Sequence, residues 1–341
     1  MDPEVPGSNP GGGTTISPAN SAPLKSPQAR YARRTAAARG WSFRSLDGED
    51  GYLFEVSDGA RRAVFAAGAG SPYALNDVRA ASIARDKAFC ATVLRQAGLP
   101  VLAGEMFFIT QRWAEMRGPG REREDALAYL ERAQFPIFCK PISASNGLYA
   151  EVVASVEAFV DYMGRVSGEH FAILVQPYVA APEHRLFVLE GRVLFSYQKH
   201  LPKVIGDGVS SVQALLDAIP RDPFARPAPL RAIDDRGAPI ALEAVIAKGR
   251  AITIAGPANR SAGGRASAIA ETAPPAMAAL ALKAAEVVGL GLAAVDMFDR
   301  SGDGLAIIEV NSNPMIATLE DAKRWDLIET IWAANIEAAW R

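Results

Sequence analysis

Cysteine is nearly missing from this chain. Cys90 and Cys139 are the only two, they lie far apart, and neither belongs to a CxxC or to a paired histidine motif. That usage suits a reducing compartment, and because both sit in apolar stretches they are expected as small core residues rather than nucleophiles. His170, His184 and His200 show no metal-ligand spacing. No stretch of about 18 uninterrupted apolar residues occurs, and no basic segment leads into an apolar core at the N-terminus, so neither a membrane span nor a secretory signal is expected and the protein is placed in the cytoplasm. Charge of one sign is also in short supply. The formal net charge is -2 and there is no long basic block, which leaves no electrostatic reason to expect nucleic acid or an anionic membrane as a partner. The arginines of residues 30–39 are interrupted by alanines and read as a solvated helix face.

Several catalytic signatures are absent as well. There is no GxxxxGK[ST], no HExxH and no GxSxG, which argues against a P-loop enzyme, a zinc peptidase and a serine hydrolase. Gly289-Leu290-Gly291-Leu292-Ala293-Ala294 formally matches a dinucleotide fingerprint, but it follows a helical pattern and enters a strand pattern. That order is the reverse of the one that sets a pyrophosphate on a helix N-terminus, so the segment is read as a helix C-cap and turn.

With 341 residues, two or three structural units are expected. Residues 1–28 are rich in Pro and Gly and have too few large apolar residues to bury, which predicts a disordered leader. Residues 29–84 read as a short leading unit, a helix and then strands near 41–46, 51–56 and 62–67. Residues 85–180 form an α+β unit. It has helices at 86–97, 122–132 and 156–166, strands at 101–109, 135–139 and 171–175, and a Gly98/Pro100 stop after its first helix. Residues 181–341 continue with a hairpin at Glu190-Gly191, a short helix capped by Ser210 or Ser211, and a Pro-, Arg- and Asp-rich surface connection at 220–239. A strand at 251–254, a helix at 275–288 and two strands at 292–298 and 305–310 complete the pattern.

The last two strands carry the strongest local signal. Side chains alternate along a strand, so Glu309 and Asn311 share a face, and a hairpin over residues 299–304 can bring Asp296 beside them. Three oxygen donors on rigid strands suit Mg²⁺; the alternative is that the carboxylates simply answer nearby arginines. Lys87 opens a helix, and Lys140 ends an apolar strand ahead of a loop containing Ser145 and Gly147. Either could be an ordinary solvated end, yet a cation beside a flexible amide-rich loop is a plausible phosphate clamp.

Taken in order, these residues resemble the ATP-grasp superfamily, in the branch holding the ligase domains of cyanophycin synthetase and bifunctional glutathione synthetase. Asp86-Lys87 through Gly98-Leu99-Pro100 resembles its opening helix and strand entry, and Lys140-Pro141 its second lysine. Val175-Gln176-Pro177-Tyr178-Val179 is similar to its adenine hinge, Glu183-His184-Arg185-Leu186 to the acidic and "HR" element, and Val204 to Ser211 to its "VGDG" turn. Asn259-Arg260-Ser261-Ala262-Gly263-Gly264 resembles its "N-x-S-T-G-G" loop, and Glu309-Val310-Asn311-Ser312-Asn313-Pro314 its metal motif. Together the motifs cover about residues 82–316.

The resemblance implies two α+β subdomains that clasp ATP. Lys87, Lys140 and the loop with Ser145 and Gly147 would hold phosphates, and Gln176, Pro177, Tyr178 and Val179 would meet adenine. Glu183 would bind ribose, and Asp296, Glu309 and Asn311 would hold two Mg²⁺ ions, with Mn²⁺ as a substitute. Arg185 and Arg260 would stabilise an acyl-phosphate and tetrahedral state, or else pair structurally with Glu183 or Asp296. The implied reaction joins a small carboxylate to an amine. A small-molecule kinase and a non-catalytic nucleotide module are the alternatives, and a homo-oligomer is left open. Some positions depart from the pattern: Gln176 stands where an acid is common, Ala262 where Thr is usual, the leading unit is short, and no Mur-ligase-like domain follows. A stand-alone ligase module is therefore expected.

Overall fold

Ser26-Pro27 is a helix-start signature, a hydroxyl that can accept from a free amide followed by a proline that needs no donor. The computed structural model describes residues 23–68, 70–219, 230–234, 238–260, 263–300 and 302–341, and in it Ser26 caps helix α1 (Pro27–Arg39) by accepting from the Ala29 amide. The leader expected over residues 1–28 lies outside the described residues up to residue 22. Its last part is packed: Leu24 and Ser26 are buried, because the Leu24 side chain lies against the turn at Gly51. The arginines of α1 line a rim, where Arg34 pairs with Glu329 at 2.8 Å and Arg39 with Glu337 at 3.4 Å.

Contacts divide the chain into two units, Met1–Pro72 with Ile328–Arg341, and Tyr73–Leu327. The first holds α1 and an antiparallel sheet of β1 (Ser42–Ser45), β2 (Leu53–Ser57) and β3 (Arg62–Ala66) in that order. Phe43, Phe54 and Phe65 stack across it with centroids 5.4 Å apart. The C-terminal helix, Trp325–Ala339, supplies Trp332, fully buried against Phe54 and Phe65 at 6.0 and 6.3 Å. The leading unit expected over 29–84 thus ends at Pro72 and includes residues from the far end of the chain. A three-stranded sheet and one helix cannot cover these aromatic faces alone.

The second unit opens with α2 (Val78–Arg85) and α3 (Lys87–Gln96), the latter capped by Asp86. A four-stranded antiparallel sheet, ordered β4-β7-β5-β6, is built from β4 (Glu105–Phe108), β5 (Ile137–Pro141), β6 (Glu151–Val153) and β7 (Ala172–Pro177). Helices α4 (Gln111–Ala114), α5 (Arg123–Leu130) and α6 (Val156–Val166) belong to the same segment. One face of the sheet packs Ile137, Cys139, Ile173 and Val175 against Leu130, Phe159, Tyr162 and Met163. Buried there, Cys139 has its thiol pushed well above the ordinary range, and burial takes Cys90 up to about 12. Neither is a thiolate at neutral pH, as expected of core cysteines.

A second antiparallel sheet has the order β13-β9-β8-β14-β15. The hairpin of β8 (Glu183–Leu189) and β9 (Arg192–His200) turns at Glu190-Gly191, with φ 45° and 76°. Next come β10 (Lys203–Ile205), α7 (Val212–Asp217), β11 (Arg231–Ile233) and β12 (Ala251–Ala255), whose strands form a small third sheet over Val212, Leu216 and Ile246. Part of the segment expected as a surface connection is therefore strand: Arg231, Ala232 and Ile233 pair with Ala255, Ile254 and Thr253. The rest of that connection lies largely outside the described residues. β13 (Arg265–Ala266), α8 (Pro275–Val288), β14 (Leu292–Asp299), β15 (Leu305–Asn311) and α9 (Ala317–Asp321) complete the unit. α8 packs Ala281, Ala284 and Val288 onto Leu186, Val188, Ala293 and Val295, which covers one face of the five-stranded sheet.

Candidate active site

The uncovered face of that sheet carries a row of ionisable side chains. Glu309, Asp296, Arg185 and Tyr197 are successive cross-strand partners over β15, β14, β8 and β9, and Glu183 pairs with Lys199 two positions along. Partners in register point to one side of a sheet, so the row is set by backbone pairing. Two register shifts make it. One lies between Asp296 and Met297 and the other between Phe187 and Val188. A one-residue shift reverses which face a side chain occupies, so without the first shift Ile308, not Glu309, would stand opposite Asp296.

The row borders a cavity of about 1230 Å³ lined by Lys87, Lys140, Ser145, Gly147, Gln176, Pro177, Tyr178, Val179, Glu183, Arg185, Arg260, Glu309 and Asn311 among others. Nearly all the predicted site residues are thus brought together. Lys140 is buried at the end of β5 and makes no ion pair or hydrogen bond among the described residues. Its ammonium lies 6.0 Å from the centroid of the Phe138 ring. Burial pushes its pKa below the ordinary lysine range, and Glu309 pulls it partly back. Glu309 shows the opposite balance: burial would raise its pKa, but Lys87, Lys140 and Lys199 outweigh that and hold it well below the carboxylate range. At the hinge, Gln176 is 2% exposed, and its Oε1 has no hydrogen-bond partner among the described residues. It is an unfilled acceptor at the cavity wall.

Three of the expected site residues have partners within the protein. Lys87 does not stand free for a ligand: its ammonium donates to the Ala144 carbonyl at 2.6 Å and lies 3.8 Å from Glu309, so it also pins the loop that follows β5. Asp296 is not among the cavity-lining residues. Its side chain is 1% exposed, and both its oxygens accept from Arg185 at 2.6 Å. Arg185 is therefore the partner of Asp296, the structural alternative left open by the sequence. Arg260, expected to stabilise the acyl-phosphate, is exposed at the rim and pairs with Asp321 at 2.6 Å, because α9 brings that carboxylate to the loop after β12.

One residue was missed. The Lys199 ammonium contacts the Glu183 carboxylate, the Asn259 Oδ1 at 2.9 Å and the Asp296 Oδ2 at 3.4 Å, with 6% of its side chain exposed. Burial alone would lower its pKa, but Asp296 and Glu183 reverse that and keep it charged.

Comparison with known proteins bears on what such a cavity belongs to. The model of the RimK-like ATP-grasp domain matches residues 257–334. Over these residues the chain is similar to that domain. They include Asn259, Asp296, Glu309 and Asn311, so the carboxylate half of the site lies within the matched residues. Similar proteins include the glutathione biosynthesis bifunctional protein GshAB of Streptococcus mutans, 26% identical over 65% of this chain and 31% of that protein. A cyanophycin synthetase of Nostoc sp. is 27% identical over 68% of this chain and 26% of that protein. This chain therefore spans about a third or less of their length. Among solved structures, D-alanine–D-alanine ligase from Bacillus anthracis aligns with a TM-score of 0.49 and 13% identity, over 77% of this chain and 69% of that one.

Proposed function

We propose that the protein is an ATP-dependent ligase that joins a carboxylate to an amine through an acyl-phosphate, acting on amino acids or small peptides. The observation that carries the reading is Lys140: a buried ammonium that makes no ion pair or hydrogen bond among the described residues, at the wall of a cavity it shares with Glu309 and Asn311. A buried cation without a counter-ion is costly unless a ligand supplies one, and a polyphosphate does so. The relatives' glutathione and cyanophycin chemistry supports the same class.

In this reading the hinge 176–179 holds adenine, with the Gln176 Oε1 accepting from its amino group, and Glu183 receives the ribose. Lys140 and Lys199 hold phosphoryl oxygens, and Ser145 with the loop at Gly147 closes over them. The donor set of Asp296, Glu309 and Asn311 fits magnesium, because all three offer hard oxygen atoms on neighbouring strands. Bound there, two magnesium ions would supply charge compensation at the transferring phosphoryl group. Arg185 holds Asp296 oriented through two hydrogen bonds. The fixed cations oppose negative charge as the carboxylate attacks phosphorus and, later, as the amine attacks the acyl carbon. The amine's proton leaves with the departing phosphate, and the products are an amide, ADP and phosphate.

The test is the Glu309→Gln variant, which keeps size and removes the charge. Turnover should fall on the order of a hundredfold or more, about 3 kcal/mol of barrier, while adenine nucleotide still binds. The wild type, screened with amino-acid pairs, should release ADP and phosphate in equal amounts with one amide, and hydroxylamine should trap a hydroxamate. ADP formed with a phosphorylated hydroxyl compound and no hydroxamate would replace the ligase by a kinase.

A further inference from the structure

Lys199 sits where a metal ion would find its ligands. Its ammonium is surrounded by three oxygen donors from three separate elements: Glu183 on β8, Asn259 on the loop after β12, and Asp296 on β14. Two carboxylates and an amide oxygen form the hard-oxygen set that divalent cations take, and a lysine ammonium is a compact point charge with three donors to satisfy it. The lysine is 6% exposed and Asp296 1%, so with Arg185 on both Asp296 oxygens the lysine occupies the remaining approach to Oδ2.

We propose that Lys199 is an internal cation that fills this oxygen-lined site in the nucleotide-free protein and excludes a divalent ion from Asp296 until phosphate draws the lysine away. The idea rests on the nucleotide and magnesium chemistry proposed above, but its charge balance is visible without them. Four cations, Lys87, Lys140, Arg185 and Lys199, face three carboxylates, Glu183, Asp296 and Glu309. A divalent ion added to that set meets a centre already positive. Phosphates reverse the balance, because they add negative charge and offer Lys199 a new partner at the same time. Metal and nucleotide should then load together, and Lys199 acts as a positioning residue that couples them. A purely structural role for the Lys199–Glu183 pair makes no such demand on the order of loading.

The test is Mn²⁺ binding to the full chain without nucleotide, read by the paramagnetic resonance of the free ion. Wild type should bind Mn²⁺ weakly alone and at least tenfold more tightly with a non-hydrolysable ATP analogue. Lys199→Met, confirmed folded by circular dichroism, should bind Mn²⁺ at least tenfold more tightly than wild type in the absence of nucleotide. The Glu183→Gln/Lys199→Met double variant removes both charges and should lose that gain, whereas Lys199→Arg should keep the exclusion. With the analogue shown by calorimetry to bind, equal Mn²⁺ affinity in wild type with and without it overturns the proposal, and this measurement stands even where Lys199→Met fails to fold. So does a folded Lys199→Met that binds no more tightly than wild type. Failure of wild type to bind the analogue at all would instead remove the ligase reading, while a gain in Lys199→Met would still establish the internal cation.

Discussion

At Lys140 burial and charge oppose each other in one side chain. Its charge is destabilising in the free protein, since burial lowers its pKa relative to an exposed lysine. The sign follows from linkage: a lysine with a depressed folded pKa carries its full penalty below that pKa, and the penalty is relieved as pH rises through it. Lys140→Met should therefore raise the melting temperature at neutral pH while weakening ATP binding roughly tenfold or more, the scale of a hydrogen bond to a charged group. Thermal melts and calorimetry with ATP check the two halves separately. A variant that is less stable and binds ATP as before would place Lys140 in the structural network instead. The cavity-facing lysine was legible only as one of two readings, because an apolar strand ending in Lys ahead of Ser and Gly fits a solvated end as well as a phosphate clamp. Arg260 was not legible, since its partner Asp321 lies 61 residues on and is delivered by a helix of five residues.

Among the elements, the loop between β5 and β6 comes close to the loop after β12 at a glycine. Gly147 has φ 72°, and a Cβ there would come within 2.9 Å of the Asn259 Nδ2 and 3.2 Å of Pro257. Gly147→Ala should cost about 1–2 kcal/mol from the left-handed backbone alone. It should also displace Asn259 from Lys199 and weaken nucleotide binding. Gly191→Ala, at φ 76° in the β8–β9 turn with nothing within 4 Å, carries the backbone cost without the contact. It should lower the melting temperature by a similar amount and leave nucleotide affinity unchanged. Identical binding by the two variants would show that the approach of Gly147 to Asn259 has no role at the site. The same hairpin explains why Lys199 escaped notice. Counting outward from Glu190-Gly191 in simple register sets Gln198 opposite Glu183, and the shift at Phe187 moves Lys199 there instead. Asp296 and Glu309 were legible because both motif residues lie on strongly apolar strands, although their direct pairing again depends on a register shift. β11 was hidden because Pro, Arg and Asp surround it, and those residues describe a surface loop equally well.

Over the whole molecule, a chain of net charge -2 gathers an excess of cations around one cavity, a distribution that favours a polyanionic ligand there and not across the surface. Chain ends show a comparable non-locality. Trp332, more than 260 residues beyond the strands it covers, is fully buried against Phe54 and Phe65, and the sequence gives no local sign of this because the helix pattern around it does not name the sheet it meets. Removing such a side chain costs about 3–5 kcal/mol, a large share of the stability available to a unit this small. β2 is paired on both edges, so its amides report opening of that unit. Trp332→Ala should accelerate hydrogen exchange at Phe54 and Val56 on the order of a hundredfold or more, whereas Trp332→Phe, which keeps an aromatic ring between Phe54 and Phe65, should recover most of the protection. Exchange at β2 that is indifferent to Trp332→Ala would mean that the sheet is stable without the C-terminal helix, and the aromatic cluster would then be a consequence of folding instead of one of its causes.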